Sequence, residues 1–343
     1  MNDLLYMEID LKQLESNLKE ISRLAQKQVI PVVKSRAYGM GDIQVLRVIN
    51  KTGIDMIAVV DMTEALNLVR DSARTEILIL NSIRQVDLPY LNLFSNFIFT
   101  VNSLKDLEIL ENFNLRRKLK LHLQVDTGMN RMGFKDYREF ETAIKRILAR
   151  DDFILDGIYT HFTDTENQQK QIASFRPYLK AHHFPLVHCA ASSSYLSTSI
   201  GNAVRIGVDL YGGNNPPLKQ ILKIACFPLA INRVKKGDTI GYDRHYKAED
   251  DELIAILPIG YSNGYRRSLS GFPVLAAGKR YPTVGKICMN HLFVRVDESI
   301  SIDSEFIITS EQLTIQEMAT YLNTVPHEIL CMFNIRNIRY LMQ

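Results

Sequence analysis

Short apolar runs recur through the first part of the chain, and stretches with helical periodicity, such as TEALNLVRDS and SLKDLEILENF, lie between most of them. Continuous apolar runs are typical of parallel strands that are buried on both faces. Alternation of such strands with helices over about 200 residues predicts an α/β fold, a small (β/α)8 TIM barrel. The predicted strands are VIPVV (29–33), MIAVV (56–60), ILIL (77–80), FIFT (97–100), LKLHLQV (119–125), LDGIYT (155–160), FPLVHCA (184–190) and AVRIGV (203–208).

The pattern changes after YGGNNPPLKQ (211–220). Apolar runs such as LIAILPIGY and EFIIT are then separated by turn signals such as KKGD, which is typical of antiparallel strands. Capping-box patterns predict helix starts at Asp10 and Thr314, and HEILCMF predicts a last helix. We therefore expect a barrel domain over residues 1–220 and a mainly β domain over 221–343, with the early run LLYMEID able to pair with the second domain.

The composition narrows the class of protein. A length of 343 residues suggests roughly two domains. The net charge of +3, from 41 basic and 38 acidic residues, is too mild to indicate a nucleic-acid or membrane partner. The first residues carry acids rather than a basic leader, and no apolar run reaches membrane-spanning length. The four cysteines lie far apart, which favours neither a metal site nor a disulfide framework and fits a reducing cytoplasm.

Chemically capable side chains stand at the ends of the predicted strands. In a barrel, active-site residues gather at the carboxyl ends of the strands, so these residues are expected to meet at one mouth. The candidates in chain order are Lys34, Arg131, His161, His188, Ser192, Arg205 and Gly207.

Lys34 admits two interpretations. A lysine at a barrel rim commonly extends its charge into solvent. A desolvated amine at a dry barrel mouth instead loses its proton more easily and attacks carbonyls as a Schiff-base lysine. The following AYGMGD favours the second interpretation, because Gly39 and Gly41 let the backbone turn close to a ligand and Tyr38 offers a hydroxyl.

Ser192 and Gly207 follow the last two barrel strands, where such barrels commonly bind phosphate. Either residue alone is ordinary turn chemistry. A glycine amide and a serine hydroxyl are also good anion donors. Together with a reactive Lys34 they indicate a phosphorylated aldehyde, and pyridoxal 5'-phosphate fits that description.

Arg205 indicates the type of reaction. A buried arginine must have its charge compensated. If it faces the pyridine nitrogen of the cofactor, it donates a hydrogen bond without giving up its proton, which leaves the ring a weak electron sink. That suits racemisation better than transamination. Tyr261, in PIGYSNGYRR, is a candidate acid/base, although a packed turn tyrosine is the commoner interpretation of such a residue. A free tyrosine is a poor base at neutral pH, so it would need a cationic network, with His161 and Arg205 as candidates.

The motifs taken together resemble the alanine racemase family of fold type III pyridoxal-phosphate enzymes. The segments that carry the resemblance, in order, are VVKSRAYGMG, AVVDMTEALNLVR, QVDTGMNRMGF, THFTDTEN, HCAASSS, RIGVDLYG, PIGYSNGYRR, VGKICMNH and EILCMFNIRNIR. The resemblance implies a homodimer in which the second domain of one subunit completes the active site of the other.

The resemblance also implies catalytic roles. Lys34 would hold the cofactor and act as the base for the D-enantiomer, and Tyr261 of the partner subunit would be the base for the L-enantiomer. Arg205 would face the pyridine nitrogen. His161 would polarise Tyr261, and His188 would support Arg205.

Binding roles follow from the same resemblance. Tyr38, Ser192 and the N–H groups of Gly207 and Val208 match phosphate ligands. The side chain of Arg131 and the backbone N–H of Met289 match the site for the substrate carboxylate.

Several positions depart from the family pattern. Gln124 replaces a lysine that the family carbamylates, and an uncharged amide at this position can accept a hydrogen bond from Arg131 but holds it less rigidly. Ile335 replaces a tyrosine that closes the pocket over the substrate methyl group. Ala191, Asn290 and Lys286 are further departures. The loss of the tyrosine at Ile335 in particular predicts relaxed or shifted specificity, for alanine, serine or a larger amino acid.

Other functions stay open at this level. A fold type III decarboxylase or aldolase would share the architecture, because fold does not fix function. A non-catalytic paralogue that binds the cofactor is a third possibility, against which the retention of Lys34, Tyr261, Arg205 and His161 argues. The sequence leaves the physiological role open: supply of D-alanine for cell-wall precursors, supply of an alternative D-amino acid, or catabolism.

Overall fold

The computed structural model describes residues 4–72, 75–213 and 215–342. Its contacts divide the chain into two compact units. The barrel unit comprises Leu18–Ala37 and Gly41–Leu210, and the β unit comprises Met1–Asn17, Tyr38–Met40 and Tyr211–Gln343. The β unit therefore resumes at Tyr211.

The strands and helices alternate first and then give way to strands. In chain order the strands are β1 (Leu5–Asp10), β2 (Gln28–Pro31), β3 (Met56–Val59), β4 (Glu76–Ser82), β5 (Phe97–Val101), β6 (Leu119–Gln124), β7 (Phe153–Tyr159), β8 (Leu186–His188), β9 (Ala203–Ile206), β10 (Leu222–Cys226), β11 (Ala230–Val234), β12 (Thr239–Ile240), β13 (Tyr246–Lys247), β14 (Glu252–Leu257), β15 (Pro273–Ala276), β16 (Lys279–Val284), β17 (Leu292–Val296), β18 (Phe306–Thr309) and β19 (Ile338–Leu341). The helical segments are α1 (Leu11–Ala25), α2 (Lys34–Tyr38), α3 (Asp42–Ile49), α4 (Met62–Leu68), α5 (Leu88–Leu91), α6 (Leu104–Glu111), α7 (Tyr137–Leu148), α8 (Gln168–Leu179), α9 (Ile315–Tyr321) and α10 (Pro326–Met332).

The barrel unit is built on one parallel sheet in the order β2-β9-β8-β7-β6-β5-β4-β3. A parallel bridge between Val32 and Ala58 joins the two ends of this sheet, so the barrel is nearly closed. Its interior holds buried side chains from several strands, including Ile30, Leu78 and Ile98. All of the predicted barrel strands are present, and the predicted (β/α)8 fold is confirmed. The prediction succeeds because strands buried on both faces need nearly continuous apolar runs.

The β unit contains a nine-stranded sheet in the order β11-β14-β17-β16-β15-β18-β10-β1-β19, and a small hairpin of β12 and β13. The predicted mainly β second domain is confirmed. The N-terminal strand β1 lies between β10, with which it is antiparallel, and β19, with which it is parallel. The strand β19 was not expected from the sequence, because its IRYL is short and its partner lies at the opposite end of the chain.

The helix starts that were predicted from capping patterns are observed. The Asp10 carboxylate accepts a hydrogen bond from the Gln13 amide at 2.8 Å at the start of α1. Thr314 and Glu317 form a reciprocal capping box at the start of α9. Within the three described ranges, no helix is long and apolar enough to cross a bilayer.

Candidate active site

Arg205 lies at the centre of the candidate site, buried on β9. Its Nη1 donates to His188 Nδ1 at 2.7 Å and to the His188 carbonyl at 2.7 Å. Its Nη2 donates to the Thr160 carbonyl at 2.8 Å and to His161 Nδ1 at 3.1 Å. The guanidinium carbon lies 4.9 Å from the centre of the Tyr159 ring. Because these acceptors are uncharged, the cation is solvated without being neutralised, and the site keeps a positive potential.

His188 is completely buried and extends the network away from Arg205. Its Nε2 lies 2.9 Å from His122 Nδ1, and its ring stacks on Tyr159 with 4.7 Å between ring centres. Burial and the nearby Arg205 lower the pKa of His188, so the imidazole is neutral. Sequence reasoning missed His122, because a lone histidine in an apolar strand is usually a satisfied core residue. Its cross-strand neighbour Gly157 leaves room for the ring, since a Cβ there would lie 2.7 Å from His122, a constraint that only the folded structure shows.

His161 follows β7 and sits among cations. Burial lowers its pKa to about 3, and the charges of Arg205, Arg131 and Lys34 add to that shift. The charges of Arg205, Arg131 and Lys34 therefore act on His161, and all four residues were predicted from the sequence. A group of cations around a neutral histidine suits an anionic small molecule.

Stability is expected to fall as the pH falls from about 6.5 towards 3. In that window unfolded chains protonate His161 near its ordinary pKa of 6.5, whereas the folded chain resists protonation until about 3. Each unit of difference corresponds to about 1.4 kcal/mol. The check is urea unfolding at several pH values for the wild type and for His161→Asn, with His291→Asn as an exposed control. His161→Asn should reduce the slope, while the part due to buried His188, whose pKa is also lowered, remains. An unchanged slope would contradict the assignment.

Lys34 begins α2, which is a left-handed turn. Ser35, Arg36 and Ala37 have φ angles of 53°, 55° and 54°, and Tyr38 continues the turn at 57°. For L-residues this conformation costs roughly 1–2 kcal/mol per residue. The strain is compensated locally, because the Ser35 amide donates to Glu64 Oε1 at 2.6 Å and Ala37 is fully buried. Such clustered strain is typical of functional segments.

Tyr38 is grouped with the β unit, within which its ring packs against Tyr211 at 5.3 Å between centres. The structure thus assigns Lys34 and Tyr38, only four positions apart, to different units.

The predicted phosphate ligands of the barrel unit lie together. Ser192, which is buried, accepts a hydrogen bond from the Gly207 amide at 3.2 Å and from the Asp209 amide at 3.4 Å. Val208 starts a short 3-10 turn, so its N–H precedes the hydrogen-bonding pattern of that turn. These groups therefore lie after β8 and β9, at the end of the barrel where such folds commonly bind anions.

Arg131 is exposed on a tightly folded loop after β6. The Asp126 carboxylate organises this loop by accepting from the amides of Gly128 at 2.9 Å and Asn130 at 3.0 Å. Within the described ranges no hydrogen bond joins the Gln124 side chain to Arg131. The Gln124 Oε1 accepts from the Tyr159 hydroxyl at 2.8 Å, so the hydrogen bond anticipated from Arg131 to this amide is replaced by one within the barrel.

Gln171, on α8, links the loops that carry Arg131 and His161, and sequence reasoning missed it. Its Nε2 donates to Thr127 Oγ1 at 3.1 Å and to the His161 carbonyl at 3.3 Å. It is polar and buried, like Gln168 on the same helix, and a glutamine in a polar stretch gives no sequence signal of that burial.

Tyr261 and Met289 belong to the β unit, and their side chains are 44% and 54% exposed. The Tyr261 amide donates to the Cys288 carbonyl at 3.1 Å, and Ser262 Oγ donates to the Met289 carbonyl at 2.9 Å. Gly260 is needed for this approach, because a Cβ there would lie 2.3 Å from the Cys288 oxygen. The two predicted residues are therefore presented together by two interlocked loops.

The fold and these side chains define a class of protein: a (β/α)8 barrel with a cationic mouth, joined to a mainly β unit. Comparison with models of protein families identifies the class more narrowly. The model of the alanine racemase N-terminal domain matches residues 9–215, and that of the alanine racemase C-terminal domain matches residues 222–341. The chain belongs to the alanine racemase family, and the predicted family and enzyme class, an amino-acid racemase, are confirmed.

Individual relatives agree along the whole length. The chain is 32% identical to an alanine racemase of Anoxybacillus flavithermus, over 96% of this chain and 93% of the relative. It is similar to the crystal structure of alanine racemase from E. faecalis, with 29% identity, a TM-score of 0.91 and 98% of each chain covered. It is also similar to the alanine racemase of Bartonella henselae with covalently bound pyridoxal phosphate, with 25% identity, a TM-score of 0.89, and 99% and 100% of the two chains covered.

Proposed function

We propose that this protein is a pyridoxal-phosphate-dependent racemase that interconverts L- and D-alanine. The observation that carries the proposal is the hydrogen bonding of Arg205. A guanidinium has five N–H donors. Both terminal nitrogens of Arg205 are engaged with neutral acceptors, whereas Nε makes no hydrogen bond within the described ranges. A fixed donor that never releases its proton suits the pyridine nitrogen of a cofactor that must remain a weak electron sink.

The remaining donors fit the rest of the cofactor. The amine of Lys34 would hold the aldehyde carbon, and the phosphate would be held by the Ser192 hydroxyl, the Gly207 and Val208 amides and the Tyr38 hydroxyl. When bound, pyridoxal phosphate would supply the electron withdrawal that acidifies the α-carbon of an amino acid. The Bartonella henselae relative, whose structure contains covalently bound pyridoxal phosphate, supports this cofactor.

Inversion at the α-carbon requires proton transfer on both faces of the substrate. We assign one face to the Lys34 amine and the other to Tyr261 of the partner subunit, in a homodimer that pairs the barrel unit of one copy with the β unit of another. The exposure of Tyr261 and Met289 supports a role at such an interface. Because His161 Nδ1 accepts from Arg205, a neutral His161 carries its proton on Nε2, from which it would stabilise the tyrosine oxygen.

Substrate recognition is assigned to a cation and an amide. The Arg131 guanidinium and the Met289 N–H would hold the carboxylate of the amino acid. Ile335 lacks the hydroxyl of the tyrosine that the family pattern carries, and Gln124 is committed to Tyr159 rather than to Arg131. Both features favour a site that accepts serine or a somewhat larger amino acid as well as alanine.

The proposal is tested by incubating the purified protein with pyridoxal phosphate and single L- or D-amino acids in heavy water. We expect inversion of alanine with uptake of one α-deuterium, and slower but measurable inversion of serine. Chiral chromatography with mass spectrometry measures both quantities.

Each other outcome has a definite meaning. Release of carbon dioxide or of an aldehyde would replace the racemase proposal with a decarboxylase or an aldolase. Absence of α-proton exchange with every amino acid would leave a non-catalytic binding protein. Turnover of alanine alone, with no larger amino acid accepted, would reject the relaxed pocket but retain the racemase.

A further inference from the structure

A line of side chains leads from Arg205 to the outer part of the barrel and ends at a carboxylate. It runs through His188 and His122, and His122 Nε2 lies 3.5 Å from Asp156 Oδ2. Both histidines are completely buried, whereas Asp156 is partly exposed. Lys120 is 3.8 Å from the same carboxylate oxygen and is held by Glu76 at 2.6 Å. The proposed cofactor contacts use none of His122, Asp156 and Lys120.

Arg205 fixes the direction of every hydrogen bond in this line. An arginine side chain only donates, so His188 Nδ1 must accept and His188 carries its proton on Nε2. That proton can only be donated to His122 Nδ1, which leaves the His122 proton on Nε2, facing Asp156. A protonated His122 is excluded, because its Nδ1–H would then point at the Nε2–H of His188. The Arg205 donor therefore sets the tautomers of His188 and His122, and the Asp156 carboxylate accepts from His122 Nε2.

The strand β7 is shaped to place that carboxylate. Its register with β6 shifts between two successive pairs, Leu121 with Leu155 and His122 with Gly157, so Asp156 is an extra residue without a partner. A bulge of this kind redirects the side chain of the inserted residue. Gly157, directly after it, leaves room for the His122 ring, against which a Cβ would lie at 2.7 Å. Two backbone features of one strand therefore serve the same imidazole.

We propose that Asp156 and His122 are positioning residues for Arg205. The carboxylate stabilises the Nε2–H tautomer of His122, which keeps His188 Nδ1 available as an acceptor and holds the guanidinium in one orientation. The inference rests on the proposed function only for the identity of the ligand that Arg205 faces. The tautomers themselves are a property of the protein and are measurable without turnover.

The direct test is nitrogen NMR of the full-length protein labelled with 15N-histidine, with signals assigned through His122→Phe and His188→Phe. We expect both residues to give the long-range coupling pattern of a neutral Nε2–H imidazole at neutral pH. An Nδ1–H tautomer at His188, or a doubly protonated His122, would overturn the proposal whatever the activity of the protein.

Kinetics provide the second test. Asp156→Ala should lower kcat about tenfold, the effect of losing one charge-assisted hydrogen bond, while the KM for alanine changes less than twofold. Asp156→Glu should recover most of the rate, because it returns a carboxylate. Asp151→Ala, which removes an exposed carboxylate before the same strand, is the matched control and should leave kcat unchanged.

Other results contradict the inference. Wild-type kcat in Asp156→Ala, or a loss that the glutamate variant does not repair, would mean that the line is structural packing only. If Asp156→Ala does not fold, Asp156→Asn serves in its place, since its carboxamide keeps an acceptor without charge and should retain an intermediate rate. Failure of the wild type to racemise would reject the proposed function but would leave the NMR result intact.

Discussion

Replacing Lys34 with alanine should abolish racemisation, with a loss of at least about 10³-fold in kcat, as expected when a covalent catalytic group is removed. The amine is proposed both to hold the cofactor and to exchange the α-proton on one face, so its removal eliminates two functions at once. Its position supports this expectation. Lys34 acts on His161 from the barrel mouth, together with Arg205 and Arg131, and it opens the left-handed turn of α2.

The measurement for Lys34 combines kinetics with chemistry. Borohydride reduction followed by peptide mass analysis should place the cofactor on the peptide that contains Lys34 in the wild type and nowhere in Lys34→Ala. Lys118→Ala, a change of an exposed lysine in the same unit, should behave as wild type. Labelling of another lysine, or retention of more than a small fraction of the rate, would refute the assignment.

Replacing Tyr261 with phenylalanine should affect the two directions unequally. Removal of the α-proton from L-alanine is expected to slow by about 10²–10⁴-fold, the contribution of a positioned general base. Removal from D-alanine should slow much less, because Lys34 remains on that face. The hydroxyl is the only group lost, and the Gly260 turn that presents the residue is unchanged.

Pre-steady-state exchange of the α-proton in heavy water, followed separately from each enantiomer, measures this asymmetry. Tyr242→Phe is the matched control, because Tyr242 is another exposed tyrosine of the β unit, at 65% exposure, and its hydroxyl has no proposed role. Equal losses from both enantiomers would contradict the assignment of Tyr261 to one face.

The sequence alone predicted most of the fold and named the central candidate residues. Most positions of the barrel strands are apolar, because burial on both faces disfavours polar side chains, and the few polar exceptions, such as His122 and Arg205, belong to the candidate site. Lys34, Arg205 and Ser192 were proposed as site residues because reactive side chains at strand ends are expected at one mouth of a barrel. The resemblance to a family added Met289 and Val208, whose proposed roles depend on backbone groups that side-chain chemistry does not reveal.

Features that depend on distant partners were decided only by the folded structure. The pairing of β1 with β19 joins the two ends of the chain, and no local pattern encodes it. The sequence suggested that the Gln124 amide would accept a hydrogen bond from Arg131, whereas packing places its oxygen against the Tyr159 hydroxyl. The bulge at Asp156 turns an ordinary strand carboxylate towards His122, and the donors of Arg205 then fix the protons on two buried imidazoles. The sequence determines which segments become strands, because the preference of each residue for burial is a local property. Hydrogen-bond partners depend on strand register and on close approach between distant segments. These exist only in the folded structure.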